Sequence, residues 1–271
     1  MRGPYITQGH AELLAGRLSN RDRAILLDLA RVRVLSGKQL DRLHFADLAP
    51  GSRERTRRRV MARLVEHRLV STLERTVGGA RSGSAGYVFS LDVAAQRVLA
   101  LVGGAEYIGL PSGRTRAPET PGTLFLAHAL DVSGLFVALK ERERAGDLTL
   151  AQYAVESAAW HPDEQGGVLK PDAYVRIRRG EIEDSWWVEV DRATESLPTL
   201  KRKLRTYVDF ATQGGCGPDG VMPRVLVTVP HGHRLAGVRA VIDDLPAPAS
   251  ELIISSLYDQ AVPLMIDTLR A

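Results

Sequence analysis

The chain has 271 residues, 36 basic and 32 acidic side chains, and a formal net charge of +4, and this length allows two separate cores. No stretch is apolar for long enough to span a membrane, and the N-terminus lacks a charged segment followed by an apolar one, so we expect a cytoplasmic protein without a secretory leader. A single cysteine, Cys216, excludes an internal disulfide and a zinc site built from several cysteines.

Positive charge is concentrated in the N-terminal part of the chain. Residues 1–116 carry 20 basic and 10 acidic side chains, a net charge of +10, whereas the remainder carries 16 and 22, a net charge of −6. This asymmetry indicates nucleic-acid contact through the first part. The patterns predict a tail over residues 1–18, a first domain over 19–109, a proline-bearing linker over 110–122 and a second domain over 123–271.

Three helices and a strand pair are predicted in the first domain. Apolar residues at helical spacing cover 20–34, a short helix follows over 36–45, and a third helix begins at Ser52. Residues 70–77 and 87–91 are predicted strands, joined by a glycine-rich loop. This order predicts a winged helix, in which the third helix can enter the major groove of double-stranded DNA and the loop can reach along the backbone.

The third helix is strongly basic. Between residues 53 and 68 it has seven arginines against two glutamates, and its apolar Val60, Leu64 and Val65 lie in the later turns. The arginine-rich first turns are therefore expected to project outward. The predicted DNA-binding residues, one of them in the loop, are Arg53, Arg55, Arg57, Arg58, Arg59 and Arg81. A solvated basic helix in a dimerisation module would show the same pattern.

The second domain alternates helices and strands. A helix is predicted over 123–145, a strand over 148–159, two strands in a hairpin, a helix over 197–210 with Ser196 as its N-cap, and a strand over 224–229. A further helix over 233–244 and a strand over 251–257 follow. The order αβββαβ predicts a layered α/β domain.

The hairpin of this domain brings two carboxylates together. A tight turn at Gly180 and Glu181 pairs residues whose numbers sum to 361, which places Asp172 opposite Glu189, with Cβ atoms roughly 5 Å apart. Two carboxylates this close repel each other unless a metal cation, a proton or a lysine lies between them. Lys203 lies within the buried stripe of the following helix, whereas Lys201 lies off it. A salt-bridged strand pair beside an ordinary helix fits the same spacing.

The segments Lys170-Pro171-Asp172 and Glu189-Val190-Asp191 resemble the PD-(D/E)xK nuclease superfamily. The resemblance implies that Asp172 and Glu189 hold Mg²⁺ or Mn²⁺ and that a lysine assists the attacking water. Asp191 stands where the superfamily pattern has its lysine, and Lys203 is the candidate replacement. The predicted catalytic residues are thus Asp172, Glu189 and Lys203, while cleavage of DNA is left open.

Over roughly residues 20–260 the chain resembles the replication-relaxation family of actinobacterial plasmids and integrative elements. The residues that carry the resemblance are the winged-helix half, the helix around His128, segments 170–173 and 189–196, and Lys203-Leu204 with Tyr207. The resemblance implies a DNA-binding protein of a mobile element that acts in replication, relaxation or transfer. Its further partners would be relaxosome or replication proteins, or a second copy of the chain.

Two other classes of protein fit the same residues. One is a winged-helix transcriptional regulator whose second domain serves dimerisation or partner docking without catalysis and without a cofactor. The other is an adaptor that binds only proteins, which requires that the basic helix does not contact DNA. Salt-dependent DNA binding separates this last class from the others.

Overall fold

A computed structural model describes residues 6–73, 86–102, 123–163 and 166–269. The predicted linker 110–122 and Arg81 lie outside the described residues. The chain forms two compact units, Met1–Val137 and Ala138–Ala271. It is a mixed α/β protein, with helices and a small antiparallel sheet in the first unit and a five-stranded mixed sheet with helices in the second. None of the helices in the described ranges is both long and apolar enough to cross a membrane.

Helices and three short strands make up most of the first unit. In chain order they are α1 (Gln8–Arg17), α2 (Asn20–Val32), β1 (Val34–Ser36), α3 (Gly37–His44), α4 (Pro50–Glu66), β2 (Val70–Leu73), β3 (Val88–Leu91) and α5 (Ala95–Val102). The strands form an antiparallel sheet in the order β1-β3-β2. The three predicted helices are confirmed, but the first ends at Val32 and the unpredicted strand β1 begins at Val34. The predicted strand 87–91 is confirmed as β3, and β2 confirms the part of the predicted strand 70–77 that is described. Residues 74–77 and most of the glycine-rich loop lie outside the described residues.

Side chains at the helix starts explain where these helices begin. The side chains of Ser19 and Ser36 each accept a hydrogen bond from the backbone N–H of the third helical residue, Asp22 or Gln39. The side chains of Asp22 and Gln39 in turn accept hydrogen bonds from the backbone N–H groups of Ser19 and Ser36, so α2 and α3 both begin with a capping box. Helix α4 begins at Pro50, two residues before the predicted start. Proline is favoured at a first helical position because its missing N–H would have no partner there.

The segment predicted as a tail, residues 1–18, contains α1. The Thr7 side chain caps its first turn by accepting a hydrogen bond from the His10 backbone N–H. Ala11 and Leu14 are buried, and α1 packs against α5. Because the buried face consists largely of alanine, the apolar pattern of this helix is weak in the sequence.

The long helix α6 (Thr123–Arg144) confirms the predicted helix 123–145. The division between the two units falls within it. In the first unit its Leu126 packs in a cluster with Val34, Leu73 and Val88. The Ser133 hydroxyl donates a hydrogen bond of 2.7 Å to the Val34 carbonyl oxygen. The first turns of α6 therefore belong to the core that also contains the small sheet.

The second unit is built around one sheet. After α6 come β4 (Thr149–Val155), β5 (His161–Pro162), β6 (Val168–Leu169), β7 (Ala173–Arg179), β8 (Ile182–Val190), α7 (Leu197–Thr212), β9 (Arg224–Val229), α8 (Gly232–Asp243), α9 (Ala249–Leu252), β10 (Ile253–Leu257) and α10 (Ala261–Thr268). The sheet order is β10-β9-β8-β7-β4, with β4, β7 and β8 antiparallel and β8, β9 and β10 parallel. The predicted order of helix, three strands, helix and strand holds for the strands of this five-stranded sheet, whereas β5 and β6 form a separate two-stranded sheet that was not predicted.

Two predicted strands of this unit are too long. The strand predicted over 251–257 begins only at Ile253, because Ala249–Leu252 forms α9. The other is the strand after α6. The prediction covers 148–159, but β4 ends at Val155 and the chain continues as a short 3₁₀ helix, Glu156–Ala158. Glu156 has a φ of +52°, in the left-handed region that a β-strand does not use. The apolar composition of the segment gives no sign of this turn.

The β7–β8 hairpin has the predicted register. Ala173 pairs with Val188 and Tyr174 with Trp187, and Gly180 forms the turn with a φ of +60°, a conformation that glycine adopts without steric penalty. Tyr174 and Trp187 pack in one buried cluster with residues of α7, α8 and β9. Because side chains alternate along a strand, Glu189 lies on this same face, the face that α7 covers.

Candidate functional site

The predicted acidic pair lies where β7 begins and β8 ends. The Asp172 backbone N–H donates a hydrogen bond of 3.0 Å to the Val188 carbonyl oxygen, which continues the hairpin register by one residue. One carboxylate oxygen of Asp172, Oδ2, accepts a hydrogen bond of 2.7 Å from the Val190 backbone N–H. The Asp172 carboxylate is thus fixed against the strand that carries Glu189.

Glu189 is the buried member of the pair, with 2% of its surface exposed. Its Oε1 accepts a hydrogen bond of 2.5 Å from the Tyr207 hydroxyl, and its Oε2 forms a salt bridge with the Lys203 ammonium. Both partners lie on α7, four residues apart, so they share one helix face. The structure therefore brings Asp172, Glu189 and Lys203 together and adds Tyr207, to which no functional role was assigned from the sequence.

The charges of this cluster are strongly coupled. Burial and the Asp172 carboxylate raise the pKa of Glu189 to about 8, against the opposing effects of Lys203 and Tyr207. Burial favours the neutral form of Lys203, but the Glu189 and Asp172 carboxylates outweigh it and raise the pKa of that ammonium. Burial and Glu189 also raise the pKa of Tyr207. A lysine and an increased proton affinity therefore offset the carboxylate repulsion that the sequence predicts.

Carboxylate oxygens are the ligands that Mg²⁺ prefers in proteins, so the chemistry of Asp172 and Glu189 suits a divalent metal. The arrangement does not fit one as it stands, because both Glu189 oxygens are engaged by α7 and one Asp172 oxygen is engaged by backbone. Among the described residues, no group of three or more His, Cys, Asp and Glu side chains is placed to hold a metal ion. A metal at this pair would require Lys203 to leave Glu189.

Asp191, which stands at the lysine position of the nuclease pattern, has a cationic partner of its own. The Asp191 carboxylate accepts hydrogen bonds from Arg234 Nε at 2.5 Å and from the Ala193 backbone N–H at 2.8 Å. Arg234 also donates a hydrogen bond of 2.9 Å to the Glu195 carbonyl oxygen. These contacts attach the start of α8 to the loop between β8 and α7. Asp191 thus helps to position the helix that carries Lys203 and Tyr207.

Lys201, predicted to lie off the buried stripe of α7, is outside this cluster. It forms a surface salt bridge with Asp244. Arg234 was not predicted as a site residue. The only sign of it in the sequence is Asp191 itself, because a carboxylate at the end of a buried strand requires a cationic or hydrogen-bonding partner.

The predicted DNA-binding arginines of α4 fall into two groups. Arg53 donates hydrogen bonds to two carbonyl oxygens of the preceding loop, at 3.2 and 3.1 Å. Arg57 donates a hydrogen bond of 2.9 Å to Asp41 on α3, and its guanidinium lies so close to Gly37 that a Cβ there would come within 2.6 Å. Arg53 and Arg57 therefore hold α4 against α3 and the loop that precedes α4.

Arg55, Arg58 and Arg59 form the second group, which we call the α4 arginine face. All three are exposed and make no hydrogen bond or ion pair with any residue in the described ranges. Arg58 and Arg59 lie three and four residues after Arg55, and like charges at these spacings on a helix repel each other. Within the described part of the chain, the positive charge of this face is therefore not balanced by any acidic partner.

The fold and the site define a class of protein. It is a mixed α/β protein of two units, with a cationic helix in one unit and a buried cluster of carboxyl groups and a lysine in the other. The replication-relaxation family model matches residues 26–225, a range that includes α4, Asp172, Glu189 and Lys203. The chain belongs to the replication-relaxation family, and this membership suggests a role in plasmid replication or relaxation. Comparison with curated proteins and with solved structures gives no match.

Replacement of Glu189 by glutamine should remove a pH dependence of stability. The pKa of Glu189 is about 8 in the folded protein against an ordinary value of 4.5, so between these values the folded protein holds a proton that the unfolded chain has released. The stability linked to Glu189 is complete below the ordinary pKa and is lost as the pH rises through 8, by up to about 1.4 kcal/mol per pH unit.

Urea unfolding between pH 5 and pH 8.5 measures this effect. Lys203 and Tyr207 do not titrate in this range, because their pKa values are raised from ordinary values that are already high. As the pH rises, the free energy of unfolding of wild type should fall relative to that of Glu189→Gln. The exposed substitution Glu181→Gln should leave the pH profile of the wild-type free energy unchanged. Parallel profiles for wild type and Glu189→Gln would show that Glu189 has an ordinary pKa.

Asp191→Asn should destabilise the second unit. The substitution leaves the Arg234 guanidinium, 11% exposed, without its carboxylate, and breaking a buried ion pair in this way costs on the order of 3 kcal/mol. Asp244→Asn removes the partner of Lys201 from an exposed pair and should change the free energy of unfolding little. If urea unfolding shows equally small effects for Asp191→Asn and Asp244→Asn, the Asp191–Arg234 contact does not hold the loop between β8 and α7.

Proposed function

We propose that this protein binds double-stranded DNA of a plasmid or other mobile element through α4 and acts there in replication, relaxation or transfer. The observation that carries the proposal is the α4 arginine face, where three adjacent exposed arginines have no partner in the described part of the chain. Membership of the replication-relaxation family supports a substrate of this kind. The phosphate backbone of DNA supplies the missing negative charge.

The arrangement around α4 favours entry into the major groove. Helices α2, α3 and α4 followed by the β2–β3 pair, with β1 at the sheet edge, have the order of a winged helix, in which the third helix lies in the groove. The groove is about 12 Å wide and admits one helix. Arg53 and Arg57 would position α4 from within the protein, while Arg55, Arg58 and Arg59 would contact phosphates.

The triple substitution of Arg55, Arg58 and Arg59 by alanine should weaken duplex binding and flatten its salt dependence. Each lost phosphate contact lowers the slope of log Kobs against log salt by about 0.9. A matched control replaces Arg178, Arg179 and Arg239, which are exposed on the second unit, and removes the same net charge. Fluorescence anisotropy with a labelled duplex gives both slopes. Equal loss in the two triple variants would place DNA binding elsewhere.

A second candidate function is metal-dependent DNA cleavage in the second unit. It is favoured by the order of helix, three strands, helix and strand together with the contact of Glu189 with Lys203 beside Asp172. In this function Asp172 and Glu189 would hold Mg²⁺ or Mn²⁺, which activates water when bound, and Lys203 would move from Glu189 toward the phosphate. The competing proposal, a non-catalytic second unit in a transcriptional regulator, keeps Lys203 on Glu189.

Metal-dependent thermal stability, measured beside cleavage of supercoiled plasmid, tests the cleavage candidate. If Lys203 blocks the pair, wild type should gain little stability from Mn²⁺, whereas Lys203→Met should gain more because Glu189 is released to bind the ion. Lys201→Met is the matched control and should behave as wild type. Adding Asp172→Asn to Lys203→Met should abolish the gain. No metal response in wild type or Lys203→Met, together with intact supercoiled plasmid after incubation, would eliminate the cleavage candidate.

A further inference from the structure

We propose that the short β5–β6 hairpin of the second unit binds an unpaired nucleotide, with Trp160 stacking on the base and Lys170 contacting the phosphate. The inference rests on the proposed function in that the ligand is DNA. It concerns a different surface from α4 and a different form of DNA, a single strand. Duplex binding tests the proposal for α4, and single-strand binding tests the proposal for the hairpin.

The hairpin places Trp160 and Lys170 together. His161 pairs with Leu169 in antiparallel register, so Trp160 and Lys170 are the next residues across from each other. Lys170 Nζ lies 4.9 Å from the centroid of the Trp160 ring. The His161 ring packs against Trp187 and Phe210, with centroids 5.7 and 5.8 Å away. The pair is therefore mounted on a hairpin that is anchored in the core of the unit.

Trp160 differs from the other tryptophans of the chain. Trp186 and Trp187 are completely buried, whereas 45% of the Trp160 surface is exposed. Burial of an aromatic ring of this size contributes favourably to the free energy of folding. Because Trp160 is half exposed, it makes only part of that contribution. An exposed aromatic ring beside a cation is suited to a planar ligand that carries negative charge.

Lys170 also differs from most lysines of this arginine-rich chain. Lys140, Lys201 and Lys203 each form a salt bridge with a carboxylate. Lys170 is exposed, contacts the Trp160 ring, and has no carboxylate partner within the residues that the structure describes. The Asp163 carboxylate of the same hairpin accepts a hydrogen bond of 2.6 Å from the Gly167 backbone N–H, which holds it at the hairpin turn.

The chemistry of this pair selects a single strand over a duplex. Stacking of a base on an aromatic side chain is worth about 1–3 kcal/mol and tolerates any base, but the faces of paired bases are already covered by their neighbours. Only Pro171 separates Lys170 from Asp172 in the chain, which limits their Cα atoms to about 7 Å apart. A nucleotide on Trp160 would therefore lie next to the acidic cluster.

Tryptophan fluorescence of the full-length protein tests the inference directly. Because Trp186 and Trp187 are buried, quenching by contact with a ligand reports on Trp160. An oligothymidylate of about twelve nucleotides, a length typical of single-strand sites, should quench the emission. An abasic oligonucleotide of the same length and charge should bind more weakly and should not quench. Equal binding and equal fluorescence for the two oligonucleotides would overturn the proposal, because charge alone would then explain the contact.

Substitutions separate this site from α4. Trp160→Ala should weaken oligothymidylate binding about 5- to 150-fold, the stacking contribution converted at 1.4 kcal/mol per factor of ten, and Trp160→Phe should bind with intermediate affinity. Lys170→Gln should reduce the salt dependence, while Val168→Ala, an exposed change on the same hairpin, should have no effect. Wild-type affinity of Trp160→Ala for oligothymidylate would overturn the proposal.

Two further comparisons distinguish the failure of one proposal from that of the other. Trp160→Ala should bind duplex DNA as wild type does. The triple variant of Arg55, Arg58 and Arg59 should lose duplex affinity and keep the quenching by oligothymidylate. Loss of quenching in the triple variant would mean that the strand binds at α4 and would overturn the assignment to the hairpin.

Discussion

The buried carboxyl group of Glu189 is the constraint on which the second unit depends. A carboxyl group removed from water costs free energy unless its oxygens find partners, and here both partners come from α7, through Tyr207 and Lys203. The apolar residues Trp187 and Leu204 pack on the same face, but apolar contacts alone tolerate small shifts. The polar contacts fix one register of α7 on the sheet, and with it the position of Lys203 beside Asp172.

Charged residues of the first unit serve two different purposes within one helix. Arg63 of α4 is bound to Asp22, which is almost fully buried, through contacts of 2.6 and 2.7 Å, and Arg53 and Arg57 are also held within the protein. The α4 arginine face consists of the arginines that remain. The same residue type therefore stabilises the fold on one side of the helix and leaves charge for a polyanion on the other.

Local rules account for the parts that the sequence predicts correctly. The glycine turn and the two-residue period of strands determine the β7–β8 register, and the helical stripe of α7 places Lys203 over Glu189. Contacts between distant residues have no such local signal. Arg234 lies 43 positions from Asp191, and the attachment of Arg57 to α3 follows only from how two helices pack. The alanine-based face of α1 and the two-residue strands of the β5–β6 hairpin are too weak as patterns to be recognised.

Family membership, the α4 arginine face and the charge asymmetry of the chain all lead to one central claim, that α4 is the surface that contacts duplex DNA. Photo-cross-linking tests it most directly. Bromodeoxyuridine-substituted duplex DNA is irradiated with the full-length protein, and the cross-linked peptides are identified by mass spectrometry. If α4 contacts the duplex, the cross-links should fall within α4 and its immediate flanks. Cross-links confined to the second unit would contradict it.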